Sequence, residues 1–222
     1  MTHFGPVDVI AIDGPSGTGK SSVARAVARE LGWRYLDTGA MYRALTWAVL
    51  RAQAPVSEAA EVARRISVSI GTDSSAEDIA VDGEHVEAEI RSPEVTAAVS
   101  AVSAVPQVRS LLVEAQRSLI GDGQIVVEGR DIATVVVPDA RLKIYLTADA
   151  DVRAARRARE VGAQAAEVAE VANALRRRDG FDSSREASPL RPALHAVVVD
   201  TSAMSQSEVV EHIVSLARLV VS

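Results

Sequence analysis

A chain of 222 residues, 48% of them hydrophobic, is long enough for one domain with a sizeable interior, or a core with inserted lobes. Its 24 basic and 30 acidic residues give a formal charge of -6, which argues against a general nucleic-acid or anionic-membrane surface. The absence of cysteine excludes disulfides, thiolate metal sites and a cysteine nucleophile.

The first predicted element is the apolar, β-branched run Val7 to Ile12, as expected of a central parallel strand covered on both faces. Directly behind it stands GPSGTGKS, Gly14 to Ser21, which satisfies the pattern Gly, four residues, Gly, Lys, Ser or Thr. Glycines at 14, 17 and 19 let the backbone curl with its N–H groups inward, and a helix opening near Lys20 adds its positive end to the same spot. The stretch is therefore read as a phosphate cradle, with Lys20 reaching the β- and γ-phosphates and the Ser21 hydroxyl placed to bind Mg²⁺. The helix that follows carries Val23, Ala24, Val27, Ala28 and Leu31 at helical spacing, and Gly32 stops it.

Trp33 to Leu36 reads as a brief strand, leading to Thr38 as the cap of a helix from Met41 to about Ala52 with Arg43 in its first turn. An arginine there opposes the helix dipole, so it is either solvated or present to meet an anion. From Pro55 the pattern changes. Glu58 to Arg65 reads as a short helix, and Ile66 to Gly71, Asp78 to Asp82 and His85 to Ala88 alternate in the manner of a small antiparallel sheet. Such a sheet within a parallel α/β chain is expected to be an inserted lobe.

Pro93 to Ala104 and Pro106 to Leu119 read as helices, the second presenting Leu111, Leu112, Ala115 and Leu119 on one face. Gln124 to Val127 and Arg141 to Leu146 are buried strands; Asp149 to Glu160 and Glu167 to Arg178 are helices, the second closing on three arginines. A polar segment, Asp179 to Arg191, precedes the strand Ala196 to Val199 and an amphipathic helix from Ser205. Arg153, Arg156 and Arg157 could touch a nucleotide or line a solvated helix face.

Arg43, Arg130, Asp37 and Asp131 all follow strand ends, where open α/β sheets bind ligands. No Asn-Lys-x-Asp guanine reader occurs, and the four histidines, His3, His85, His195 and His212, are scattered, so no nucleophile–histidine pair is assigned. Neither a basic opening followed by an apolar segment nor a run of membrane-spanning length occurs, so the protein is expected to be soluble, unexported and cytoplasmic.

Across nearly its whole length the chain resembles the bacterial cytidylate kinases, a group of nucleoside monophosphate kinases. The motifs that carry the resemblance are IDGPSGTGKS at 12–21, LDTGAMYR at 36–43, EIRSPEV at 89–95, VPQVR at 105–109, EGRDIATVV at 128–136 and RRDGFDSSREASPLRPA at 177–193. The resemblance implies an α/β fold of the P-loop type: a parallel five-stranded sheet with flanking helices, an inserted monophosphate-binding lobe containing the small antiparallel sheet, and a helical lid. It divides the single kinase domain, 1–222, into a core at about 1–40, 106–150 and 192–222, a lobe at about 41–105 and a lid at about 151–191.

The same resemblance implies transfer of the γ-phosphoryl group of ATP, with Mg²⁺, to CMP or dCMP in pyrimidine metabolism. ATP would lie on Gly14, Pro15, Ser16, Gly17, Thr18, Gly19, Lys20, Ser21 and Ser22, with Ser21 as metal ligand. The acceptor phosphate would be held by Arg43 and Arg130, with Arg178 and Arg185 arriving from the lid, and Lys20, Arg130, Arg178 and Arg185 would carry the transfer. Ser100, Arg109 and Asp131 would read cytosine, Asp182 with Arg178 the sugar, and Thr38 would complete the acceptor site. Phe181 stands where some relatives carry a further arginine. The partners implied are small molecules only, with no nucleic acid, no membrane and a monomeric enzyme. A kinase for another small acceptor, such as shikimate or dephospho-coenzyme A, and a non-catalytic nucleotide sensor are the alternative readings.

Overall fold

A computed structural model describes residues 7–162, 167–185 and 188–221. His3 and parts of the expected lid, 163–166 and 186–187, lie outside the described residues. The elements are β1 (Val7–Asp13), α1 (Lys20–Leu31), β2 (Arg34–Asp37), α2 (Thr38–Arg51), α3 (Ala59–Arg65), β3 (Val68–Ile70), β4 (Ile79–Val81) and β5 (Glu84–His85). They continue with α4 (Pro93–Ala104), α5 (Pro106–Ile120), β6 (Ile125–Gly129), β7 (Ala140–Thr147), α6 (Ala150–Glu160), α7 (Val168–Ser184), β8 (Val197–Asp200) and α8 (Gln206–Val221).

Two compact units emerge, one from the described residues up to Tyr35 together with those from Asp122 onward, the other from Leu36–Gly121. The expected five-stranded parallel sheet is present in the order β2-β6-β1-β7-β8, with β1 pairing in parallel to β6 and β7. Val9, Ile10, Ala11 and Ile12 on β1 and Val126 on β6 are wholly buried, the consequence of helices covering both faces. Ile10, Ile12, Val27, Ile144 and Ile213 share one cluster with α1 and α8, and each such side chain contributes about 1.5–3 kcal/mol by leaving water.

The second unit builds its own core. Ala40, Ala44 and Ala48 line one face of α2, and their small side chains let Ile79 and Val81 of the antiparallel sheet β3-β4-β5 pack close. Ser92 caps α4 by accepting from Val95 N, and a proline opens each of α4 and α5. His85 Nδ1 lies 3.2 Å from Glu87 and 3.6 Å from Asp78 at the surface of this sheet.

Three expectations are corrected. Thr38 does not cap α2; Asp37 does, its Oδ1 accepting from Ala40 N at 2.9 Å. The buried face of α5 is Val108, Arg109, Leu112, Val113, Gln116 and Ile120, rotated from the face expected, and it encloses two polar residues, Arg109 and Gln116. Finally α7 does not end at Arg178 but continues through Gly180 to Ser184, which puts Asp182 on a helix instead of in a polar loop.

Candidate active site

The cradle leaves β1 through a contact that admits no side chain. Gly14 has φ +147°, and a Cβ there would stand 2.1 Å from the Leu146 carbonyl oxygen of β7. Gly17, with φ +79°, would bring a Cβ to 2.8 Å from the Arg153 carbonyl of α6. Just after Gly17, Thr18 donates its hydroxyl to Pro15 O at 3.1 Å and is itself buried. Lys20 opens α1 and is 7% exposed, and its Nζ donates to Pro15 O at 2.7 Å. Burial, and then the neighbouring Arg130, lower its pKa to about 7, with Glu128 opposing the shift. Ser21 and Ser22 are exposed in the first turn of α1.

Arginines gather beside the cradle. Arg130, which follows β6, donates from Nη1 to Gly14 O at 2.7 Å and from Nε to Asp182 Oδ2 at 3.0 Å. Asp182 also receives Arg185 Nη2 on its other oxygen at 2.8 Å, so one buried carboxylate holds two guanidinium groups. Arg178 is half-buried and close enough to Lys20 to help depress its pKa. Asp131 is 5% exposed in the same loop. Lys20, Arg130, Arg178, Asp182 and Arg185 thus belong to one cationic group bordering the cradle.

Three further residues of this unit escaped the sequence reading. Asp13, the last residue of β1, accepts from Ile132 N at 2.8 Å and from Ala133 N at 2.9 Å. Asp179 accepts from Ser16 N at 3.2 Å and pairs with Arg153, which also donates to Ser16 O at 3.1 Å. Tyr35 donates its hydroxyl to Glu128 at 2.6 Å inside the core. A charge directly after the apolar stretch 9–12 of β1 and a carboxylate among arginines were the signals available for Asp13 and Asp179. Of the ambiguous arginines, Arg156 holds Thr201, and Arg157 pairs with Glu160.

The remaining predicted residues lie on the second unit. Arg43 donates to Ile90 O and to Thr96 Oγ1, both at 3.0 Å, so it is built into the junction of α2 and α4. Arg109 is 5% exposed; it donates to Ser103 O at 3.2 Å and stacks 5.4 Å from the Tyr42 ring. Ser100 is half-buried one turn before Ser103, whose hydroxyl donates to Ser100 O at 3.1 Å. Thr38 is buried in the first turn of α2.

Among the described residues no single helix is long and apolar enough to cross a membrane, although the bent pair α4 and α5 passes by length and composition together. A solved structure of an uncharacterized protein from Eubacterium ventriosum superposes with a TM-score of 0.51 at 10% identity, covering 97% of this chain and 99% of its own, a likeness of fold alone. In sequence, a cytidylate kinase of Nocardia farcinica is 54% identical over 92% of this chain and 91% of its own length. A cytidylate kinase of Streptomyces avermitilis is 52% identical over 96% of this chain and 94% of its own. The family model described as cytidylate kinase matches residues 10–219, from the buried middle of β1 to the last turns of α8. A phosphate cradle bordered by arginines, and likeness sustained over nine-tenths of the length, lead to one conclusion: the chain belongs to the cytidylate kinase family.

Proposed function

We propose that this protein phosphorylates CMP and dCMP at the expense of ATP, giving CDP or dCDP and ADP. The observation that carries this reading is the group formed by Lys20, Arg130, Asp182 and Arg185 next to Gly14 at the carboxyl ends of β1 and β6, in a chain of this family. In-line attack by an oxygen of the acceptor's own phosphate on the γ-phosphorus requires positioning and charge neutralisation, not a side-chain nucleophile. Cations already fixed in place neutralise developing charge without reorganising at the moment of transfer.

In this reading ATP lies along residues 14–22, and Lys20 spans its β- and γ-phosphates. The Ser21 hydroxyl, exposed at the start of α1, fits a Mg²⁺ ligand; the ion, when bound, offsets charge on the β- and γ-oxygens. Arg43, Arg130, Arg178 and Arg185 would hold the acceptor phosphate, and Thr38 would complete the acceptor site. Asp131, Arg109 and Ser100 read cytosine. Its amino group donates to a carboxylate, and its ring nitrogen and carbonyl accept from an arginine or a hydroxyl. Uracil would turn a carbonyl oxygen toward Asp131 and leave buried polar groups unpaired. Asp182 reads the sugar hydroxyls while holding two arginines. The segment about 41–105 serves as monophosphate lobe and about 151–191 as lid, in a monomeric cytoplasmic enzyme that binds neither nucleic acid nor membrane.

An assay coupled to ADP release, run over CMP, dCMP, UMP, AMP, GMP and shikimate, tests the reading. Turnover of CMP and dCMP well above that of the other four is expected. Equal catalytic efficiency on UMP would remove the base-reading set, and no turnover of CMP would remove the function.

A further inference from the structure

Arg130 and Asp131 sit in a loop, yet both ends of that two-residue span are fastened to the same place. On one side β6 ends at Gly129, which lies in register with Asp13 of β1. On the other side a five-residue π-helical turn begins at Ile132, and the leading N–H groups of such a turn have no partner within it. The carboxylate of Asp13 supplies both partners, one oxygen to Ile132 N and one to Ala133 N. Arg130 itself donates to Gly14, the next residue after Asp13. The last residue of β1 therefore anchors the span before and after the two residues that the acceptor needs, and the first residue of the cradle anchors its guanidinium.

We propose that Asp13 is a positioning residue for phosphoryl transfer, its carboxylate fixing the Arg130–Asp131 span on the strand that carries the phosphate cradle. The proposal rests on the functional reading above. Asp13 is 2% exposed, and burial raises its pKa to about 6, with Asp131 adding to the rise while the two N–H donors and Lys20 oppose it. An asparagine would offer one acceptor oxygen and turn an amide N–H₂ toward the other backbone N–H, so one end of the span would come loose.

The test uses the full chain and the Asp13→Asn variant. Hydrogen exchange at the Ile132 and Ala133 amides, measured without nucleotide, is expected to accelerate. The kcat/KM for CMP is expected to fall about 10- to 100-fold, as displacement of a positioned group does, while the KM for ATP stays at the wild-type value. Asp13→Glu, which keeps the charge, is expected to recover part of the loss, and it takes over both measurements if the asparagine variant does not fold. Val210→Ala, a core truncation in α8, is the control: it is expected to lower the melting temperature without changing the ratio of CMP to ATP effects. Unchanged exchange at residues 132 and 133, a lowered melting temperature with CMP kinetics intact, or equal losses toward both substrates would each overturn the proposal. A wild-type enzyme inactive on CMP would instead overturn the functional reading, with the exchange measurement still deciding whether Asp13 fixes the span.

Discussion

The two units handle charge in opposite ways. In the unit built on the parallel sheet, the ion pairs beside the cradle are enclosed: Arg130 with Asp182 and Arg153 with Asp179 join segments distant in sequence, and Arg185 adds a local pair to Asp182. In the unit spanning Leu36–Gly121, the pairs Arg51 with Glu84, Arg64 with Glu61 and Arg91 with Glu77 lie on the surface, every side chain at least 50% exposed. Its enclosed cation, Arg109, rests on a carbonyl and a tyrosine ring. Exposed pairs are screened by water and contribute little, whereas removing one partner of an enclosed pair strands a charge. The first unit thus encloses charge beside its cradle, and the second keeps its acid–base pairs outside its alanine-lined packing.

Perturbing each kind of charge in turn tests that contrast. The largest effect is expected from Lys20→Ala, which removes the cation at the head of the cradle. Turnover should fall by about three orders of magnitude, with circular dichroism unchanged. Near-normal turnover would show that the cradle works without it. Next comes Asp182→Ala, which leaves the guanidinium groups of Arg130 and Arg185 facing each other. Denaturant unfolding should show a loss of about 3–5 kcal/mol, and the KM for CMP should rise. An unchanged KM would remove the sugar contact.

A smaller and graded effect concerns protons. The Lys20 pKa of about 7, set chiefly by burial, means that the amine is largely neutral at pH 8.5. A bound triphosphate would favour the charged form, so binding should take up a proton above pH 7 and weaken as the pH rises toward the ordinary lysine value of 10.5. Calorimetry of ATP binding at pH 8.5, in two buffers of different ionisation enthalpy, measures that uptake. Identical enthalpies in the two buffers would place the pKa elsewhere. The smallest effect is expected from Glu84→Ala, which breaks the exposed pair with Arg51 and should change stability by under about 1 kcal/mol.

The strands of the parallel sheet were legible in the sequence to within two residues, β1 and β6 most plainly, because short β-branched apolar runs bounded by glycine suit a strand covered on both faces. The prolines at 93 and 106 marked the openings of α4 and α5 equally well. Failures came where distant partners outvoted local chemistry. The three arginines at 176–178 read as the close of a helix, yet α7 runs past them to Ser184, with Asp182 held by Arg130 from a segment 52 residues away. Asp13 lies inside the motif at 12–21 yet was given no role, since its partners are two backbone amides about 120 positions on. The cradle was readable because its spacing is itself the chemistry, whereas Arg178 and Arg185 beside it were reached only through the resemblance. The carboxylates that hold those arginines were read less completely, because holding is a matter of three-dimensional proximity.

Two of the cradle's glycines abut main chain. At 14 and 17 the obstacle to a side chain is main chain, the carbonyls of Leu146 and Arg153, and main chain cannot step aside as a flexible side chain would. Every other amino acid brings at least the one extra carbon that collides there. These two positions therefore have no neighbouring sequence through which the protein could drift by small steps, and natural variation or laboratory mutagenesis must alter the loop's surroundings before it can alter the loop.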